Sequence, residues 1–145
     1  KVIEGMQYKY PEVEILKSII GISTFSGMMI LAEMADISRF PSPNKLASYA
    51  GIVPSTYQSS QIQHSGRITK QGNAHLRWIL TQCAHASVKS RHSHKLKTFY
   101  LRIERKKGKQ KAIVATARKM LTTIWHLLNK NEFYAYRDIP SKNGL

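Results

Sequence analysis

The residue types most suited to chemistry crowd into one stretch, PSPNKLASYAGIVPSTYQSSQIQHSGRITKQGNAHLRWIL, residues 41–80. Ser59 and Ser60 lie in a polar segment that also holds Ser55 and Ser65 and follows Ser48. Downstream come Arg67, Lys70, the Gly72-Asn73 pair and Arg77. A serine hydroxyl can attack phosphorus if one group takes its proton and others stabilise the added charge. Arg67 and Arg77 offer planar forks that fit phosphate oxygens, and Lys70 adds a point charge. A helix starting at Gly72-Asn73 would add backbone N–H donors aimed at the same anion. His64 is a candidate proton acceptor, though a lone loop histidine is more often just a solvated side chain. An ordinary polar loop has the same composition, so residue types alone leave catalysis and bland solvation both open.

The elements that position these residues must come from one domain, since 145 residues suffice for a single proper core. Hydrophobic residues make up 42% of the chain, too many for a disordered polymer. The formal net charge is +15, unevenly placed: residues 37–131 contain eighteen Lys or Arg and one acid, Glu104. A basic face of this kind suits nucleic acid, with a merely solvated basic surface as the alternative. The single cysteine, Cys83, cannot form an internal disulfide and reads as a small buried hydrophobe in a reducing, cytoplasmic setting. The longest apolar run, residues 28–32, is too short to cross a bilayer. The chain opens at Lys1 within what reads as a helix end, so a piece of a longer protein is expected.

The fold class read from periodicity is mainly α. Helices are predicted over 12–20 (opened by Pro11), 24–35 (Thr24 as N-cap) and 44–50 (closed by Gly51). In the second, Phe25, Met28, Met29, Leu31 and Ala32 form the expected apolar face. Residues 51–71 hold too few periodic apolar residues for a helix and read as a long polar loop. Three more helices follow. Over 73–89 the inward face is Leu76, Ile79, Leu80, Cys83, Ala84 and Ser87. Over 95–107 it is Leu96, Phe99, Tyr100 and Ile103, with Lys95, Lys97, Arg102, Arg105, Lys106 and Lys107 outside. Over 110–129, after Gly108, it is Ile113, Ala117, Met120, Leu121, Ile124 and Leu128. The domain is expected over 1–132, with 133–145 a flexible tail.

Ile19-Ile20-Gly21-Ile22-Ser23, between the first two helices, resembles the helix-hairpin-helix of DNA-binding proteins, in which a glycine turn brings backbone N–H groups to a phosphate. Any tight turn between helices would look similar. The more specific resemblance is carried by DISRFPSPNKLASYAGIVPS, YQSS and GRITKQGNAHLRW. It is similar to the carboxy-terminal domain of insertion-sequence transposases with an amino-terminal RuvC-like DEDD domain, relatives of the Piv-type invertases that include the bridge-RNA-guided recombinases. The likeness spans roughly residues 19–125 and is most specific over 36–80.

In that family the loop usually reads tyrosine, polar residue, serine, glycine, and the serine forms a phosphoserine link to DNA. Tyr57-Gln58-Ser59-Ser60 puts the nucleophile on Ser59 and a serine where glycine is usual. Ser60 is therefore the second candidate nucleophile, or the mark of a decayed mobile element. Ser23 likewise stands for the second glycine of the hairpin. The resemblance implies a DNA recombinase that exchanges strands as a dimer or tetramer, in some members with a structured guide RNA, at the bacterial nucleoid. Phosphate contacts would come from Gly21, Arg67, Lys70, Asn73, Arg77 and the basic run Lys95–Lys107. It places Mg²⁺ in the RuvC-like domain, outside this chain, and no metal or other cofactor is expected here. The alternative is a non-catalytic helix-hairpin-helix module that only binds nucleic acid.

Overall fold

The computed structural model describes residues 10–52, 72–92 and 94–135. Within them the protein is all-helical: α1 (Pro11–Lys17), α2 (Thr24–Met34), a 3₁₀ turn (Ile37–Arg39), α3 (Pro43–Ala50), α4 (Ala74–Lys89), α5 (Lys95–Lys107) and α6 (Lys109–Lys130). The mainly α expectation holds. Ser59, Ser60, Arg67 and Lys70 lie outside the described residues, as do His64 and most of the carboxy-terminal tail.

The long helix α6 is the spine, packing against α5, α4, α3 and α1. Its buried stripe is Ala112, Ile113, Thr116, Ala117, Met120, Leu121, Ile124 and Leu127. These positions recur at three- and four-residue steps, which a 3.6-residue period puts on one side. The stripe differs from the expected one in taking Leu127 as its last member while Leu128 is only half buried. Thr116 can join it because its hydroxyl donates to the Ala112 carbonyl at 2.8 Å. Trp125 is half buried, and its indole N–H donates to the Phe40 carbonyl at 2.9 Å, tying the end of the spine to the turn before α3.

Helix α4 buries Leu76, Ile79, Leu80, Cys83, Ala84 and Ser87, the six residues its periodicity selects. Burial pushes the Cys83 thiol upward, so it behaves as an inert hydrophobe near neutrality. Helix α5 is less deeply seated than its pattern suggests. Only Leu96 is buried, while Phe99, Tyr100 and Ile103 are half covered. It packs chiefly on α6, with a smaller contact to α4. Its start is capped by His94, fully buried, whose Nδ1 accepts from the Lys97 N–H while Nε2 donates to the Ser87 carbonyl at 3.0 Å. A carbonyl only accepts, so the proton sits on Nε2 and the ring is neutral. Gly108, at φ +89°, makes the one-residue break between α5 and α6.

Three expectations are corrected in the amino-terminal half. Helix α1 stops at Lys17, because the Ser18 hydroxyl takes the Ile15 carbonyl and the chain turns to bury Ile19 and Ile22. The N-cap of α2 is Ser23 rather than Thr24. Ser23 Oγ accepts from the Ser26 N–H at 3.1 Å and Ser26 Oγ from the Ser23 N–H at 2.8 Å, a reciprocal capping box. The buried face of α2 is Gly27, Ile30 and Met34, whereas Phe25 is 57% exposed. A helix apolar nearly all round carries no phase in its sequence, so contact with α1 and α4 chooses the face.

Gly21 has a packing reason to be glycine. At φ +107° a Cβ there would sit 2.5 Å from the Cys83 carbonyl oxygen and 2.8 Å from Ser87 Cβ. The hairpin backbone thus lies directly on α4. Gly21→Ala combines a left-handed strain with overpacking and is expected to lower unfolding free energy by about 2 kcal/mol or more. Urea denaturation followed by circular dichroism measures it, and a loss under 0.5 kcal/mol would show that the hairpin is not held against α4.

Candidate phosphate-binding junction

The site is built where α3 ends and α4 begins. Helix α3 closes at Gly51, left-handed at φ +72°, with its N–H on the Ala47 and Ser48 carbonyls. The Asn73 backbone N–H donates to the Tyr49 carbonyl at 2.6 Å. Gly72, at φ +96°, passes so close that a Cβ would collide with that same carbonyl oxygen. Ile52 and Gly72, which bound residues 53–71, are thereby held at one place in the fold.

Asn73 does more than start the helix. Its Oδ1 accepts from the Leu76 N–H at 2.9 Å, the N-cap bond, while Nδ2 donates to Glu33 Oε2 at 2.8 Å and reaches the Tyr49 hydroxyl at 3.2 Å. Tyr49 in turn donates its hydroxyl to the Glu33 carbonyl at 3.0 Å. His75 Nδ1 pairs with the other Glu33 carboxylate oxygen. Periodicity assigned neither Glu33 nor His75 to a site; the sequence signal was that Glu33 and Asp36 precede a run nearly free of acids. Hydrogen bonds from His75 and Asn73, with the His75 charge adding to them, hold the Glu33 carboxyl below its usual range against a small opposing effect of burial. Asp36 is lowered too, mainly by hydrogen bonds from Ser38.

Arg77 lies one turn further along α4, half buried, with Nη1 donating to the Ala50 carbonyl at 3.3 Å. Asn73 and Arg77 are thus brought together beside the stems of segment 53–71. The remaining sequence candidates lie elsewhere. Gly21 is at the α1–α2 turn against Cys83 and Ser87. Lys95, Arg102, Arg105, Lys106 and Lys107 are exposed on α5, and the Arg102 guanidinium lies over the Phe99 ring. Lys97 departs from the expected outward set: it is half buried, and its ammonium group bonds the Ser90 carbonyl. Among the described residues no three His, Cys, Asp or Glu side chains gather in a metal-holding group, and no helix is long and apolar enough to cross a membrane.

The lowered carboxyl of Glu33 sets a pH dependence. Its folded value lies below the unfolded one, so its contribution to stability is present above the ordinary glutamate range of about 4.3 and is lost as pH falls through the folded value. Glu33→Gln keeps the side-chain shape and removes that titration. Thermal melts from pH 7 to pH 3 should show the parent protein losing its advantage over the variant below about pH 4.3. Parallel curves would sink the assignment.

Known proteins resemble this chain in sequence. The family model described as "Transposase IS116/IS110/IS902 family" matches residues 13–101, from α1 through the first half of α5. The chain is 32% identical over 122 residues to the transposase for insertion sequence element IS1111A of Coxiella burnetii, covering 82% of this chain and 33% of that protein. It is 27% identical over 137 residues to a 43.6 kDa protein of insertion element IS110 from Streptomyces coelicolor, covering 93% and 33%. It is 31% identical over 136 residues to a 42 kDa protein of insertion element IS900 from Mycobacterium paratuberculosis, covering 91% and 33%. The chain spans about a third of the length of these relatives. The matched segment contains the hairpin, both stems of the serine segment and the Asn73–Arg77 helix start, and with these the chain belongs to the IS116/IS110/IS902 transposase family.

Proposed function

We propose that this chain is the serine-bearing, DNA-gripping part of a DNA transposase, and that cleavage requires a RuvC-like domain elsewhere in the same protein. The observation that supports it most is the junction: Asn73 and Arg77 stand beside the two stems of the segment that carries Ser59. The half-buried Arg77 guanidinium at that point suits a phosphodiester oxygen.

In the proposed reaction Ser59 Oγ bonds to phosphorus and the phosphorus–O3′ bond breaks. The leaving oxygen takes up a proton as a 3′ hydroxyl, and the serine proton passes to a base. Religation reverses these steps with the 3′ hydroxyl of a new partner strand, freeing Ser59. Arg67, Lys70 and Arg77 bind the non-bridging oxygens, where charge accumulates in the transition state. Mg²⁺ belongs to the RuvC-like domain on this reading. Ser60 is the second choice for the nucleophile. Arg105, Lys106 and Lys107, with Lys95 and Arg102, contact the DNA backbone or, in an RNA-guided member, the guide. Exchange between two duplexes needs more than one active site, so the protein works as a dimer or tetramer. The hairpin is the weaker contact, because the capping box already engages the Ser23 and Ser26 N–H groups.

Ser59→Ala in the full-length protein should abolish recombination while DNA affinity stays within about twofold. Recombination that persists would remove Ser59 from the mechanism, and persistence in Ser59→Ala joined with loss in Ser60→Ala would move the nucleophile by one residue. The 145-residue chain alone should bind DNA without cutting it; strand cleavage by that chain would overturn the two-domain reading. Replacing Arg105, Lys106 and Lys107 by alanine should flatten the dependence of log K on log salt by up to about 3. An unchanged slope would place the DNA elsewhere.

A further inference from the structure

We propose that the groove beside Trp78 seats an unpaired DNA base. This rests on the DNA-binding reading above. The groove, about 330 Å³ and open to solvent, lies between α4 and α6 and is lined by Ile52, Ala74, Arg77, Trp78, Thr81, Val114 and Ala117. That volume is at the lower end of small-molecule sites, enough for one planar ring system and its sugar.

Trp78 is 55% exposed, an unusual state for the largest apolar side chain, while Trp125 is half buried and hydrogen-bonded. The indole is not loose. It stacks on the His75 ring with an interplanar angle of 5° and centroids 6.1 Å apart, and His75 is fixed by Glu33. A flat aromatic surface held in one orientation beside an apolar floor is a stacking platform, and every base offers a face to it. The polar parts of the groove fit a nucleotide as well. The Arg77 guanidinium carries five donors in a plane, and Thr81 Oγ1, which donates to the Arg77 carbonyl at 2.8 Å, keeps lone pairs for a base amino group.

Charge selects the occupant. Neither α4 nor α6 contains an acidic residue, and the chain as a whole is +15. A second copy of this chain would bring the same charge to this face, whereas a nucleic acid strand brings the opposite sign. The base must be unpaired, because in a duplex both faces of each interior base are covered by its neighbours. Ile52 and Ala74, at the edge of the groove, adjoin the stems of segment 53–71, so a strand seated there runs next to the proposed reacting phosphate.

The test compares the 145-residue chain with Trp78→Ala and Trp78→Phe, on a twelve-nucleotide single-stranded DNA, its RNA counterpart and a fully paired duplex. Fluorescence anisotropy gives affinity, tryptophan emission reports stacking, and sedimentation gives oligomeric state. Single-stranded DNA should quench the parent emission. Trp78→Ala should weaken single-strand binding about 5- to 100-fold and duplex binding less than twofold, and Trp78→Phe should recover most of the loss. Equal weakening on both DNAs, or none on either, overturns the base seat while leaving DNA binding intact. Trp78-dependent affinity that is tighter for RNA overturns the assignment to DNA. A change of oligomeric state in Trp78→Ala with affinity unchanged makes the face an interface between copies instead. Absence of any nucleic-acid binding by the parent chain would defeat this inference and the proposed function together. Trp78 is mostly solvent-facing, so the variants fold, and matching thermal melts verify it.

Discussion

One backbone hydrogen bond, from the Asn73 N–H to the Tyr49 carbonyl, organises the junction of α3 and α4. It joins the last turn of α3 to the first of α4. A few well-made bonds at this junction set how the two helices meet. Asn73 makes them economical, since one side chain caps α4, reaches Glu33 and meets the Tyr49 hydroxyl. Gly72 allows the approach because any side chain there would meet the carbonyl that Asn73 uses.

Glu33 gains its importance from position. With Asp36 it is one of two acids just before a region with eighteen cations and one carboxylate. By pairing with His75 and Asn73 it joins α2 to α4, across the same face on which Tyr49 presents its ring to Phe40 and to the Arg39 guanidinium. The half-exposed setting keeps such pairs modest in energy. Their service is geometric: they fix where α4 begins and therefore where Arg77 and Trp78 stand.

The spine helix answers a different requirement, that a strongly cationic chain still close around an apolar core. Helix α6 buries one stripe against four other helices and leaves Lys109, Lys111 and Lys119 outside. With α5 folded back on it at Gly108, the cations of both helices stand on one hairpin. Repulsion within that hairpin is relieved in part by aromatic faces. The Lys119 ammonium lies 4.5 Å from the Phe99 centroid and Arg102 lies over the same ring. Half-buried Phe99 thus works as a cushion for charge more than as a core residue.

What the sequence determined by itself was the helical class, the boundaries of the last three helices within one or two residues, and the whole inward face of α4. These depend on local terms, namely a 3.6-residue period, a capping side chain and a glycine stop, and each can be read from neighbouring letters. Residue types and spacing also carried the likeness to the transposase family. Tertiary structure alone decided which side of the evenly apolar α2 is buried and that Gly21 is a packing glycine. It also decided that Glu33, Tyr49, Asn73 and His75, separated by up to 42 positions, form one network. Such contacts depend on which helices lie side by side, and no local period encodes a neighbour that arrives from forty residues away.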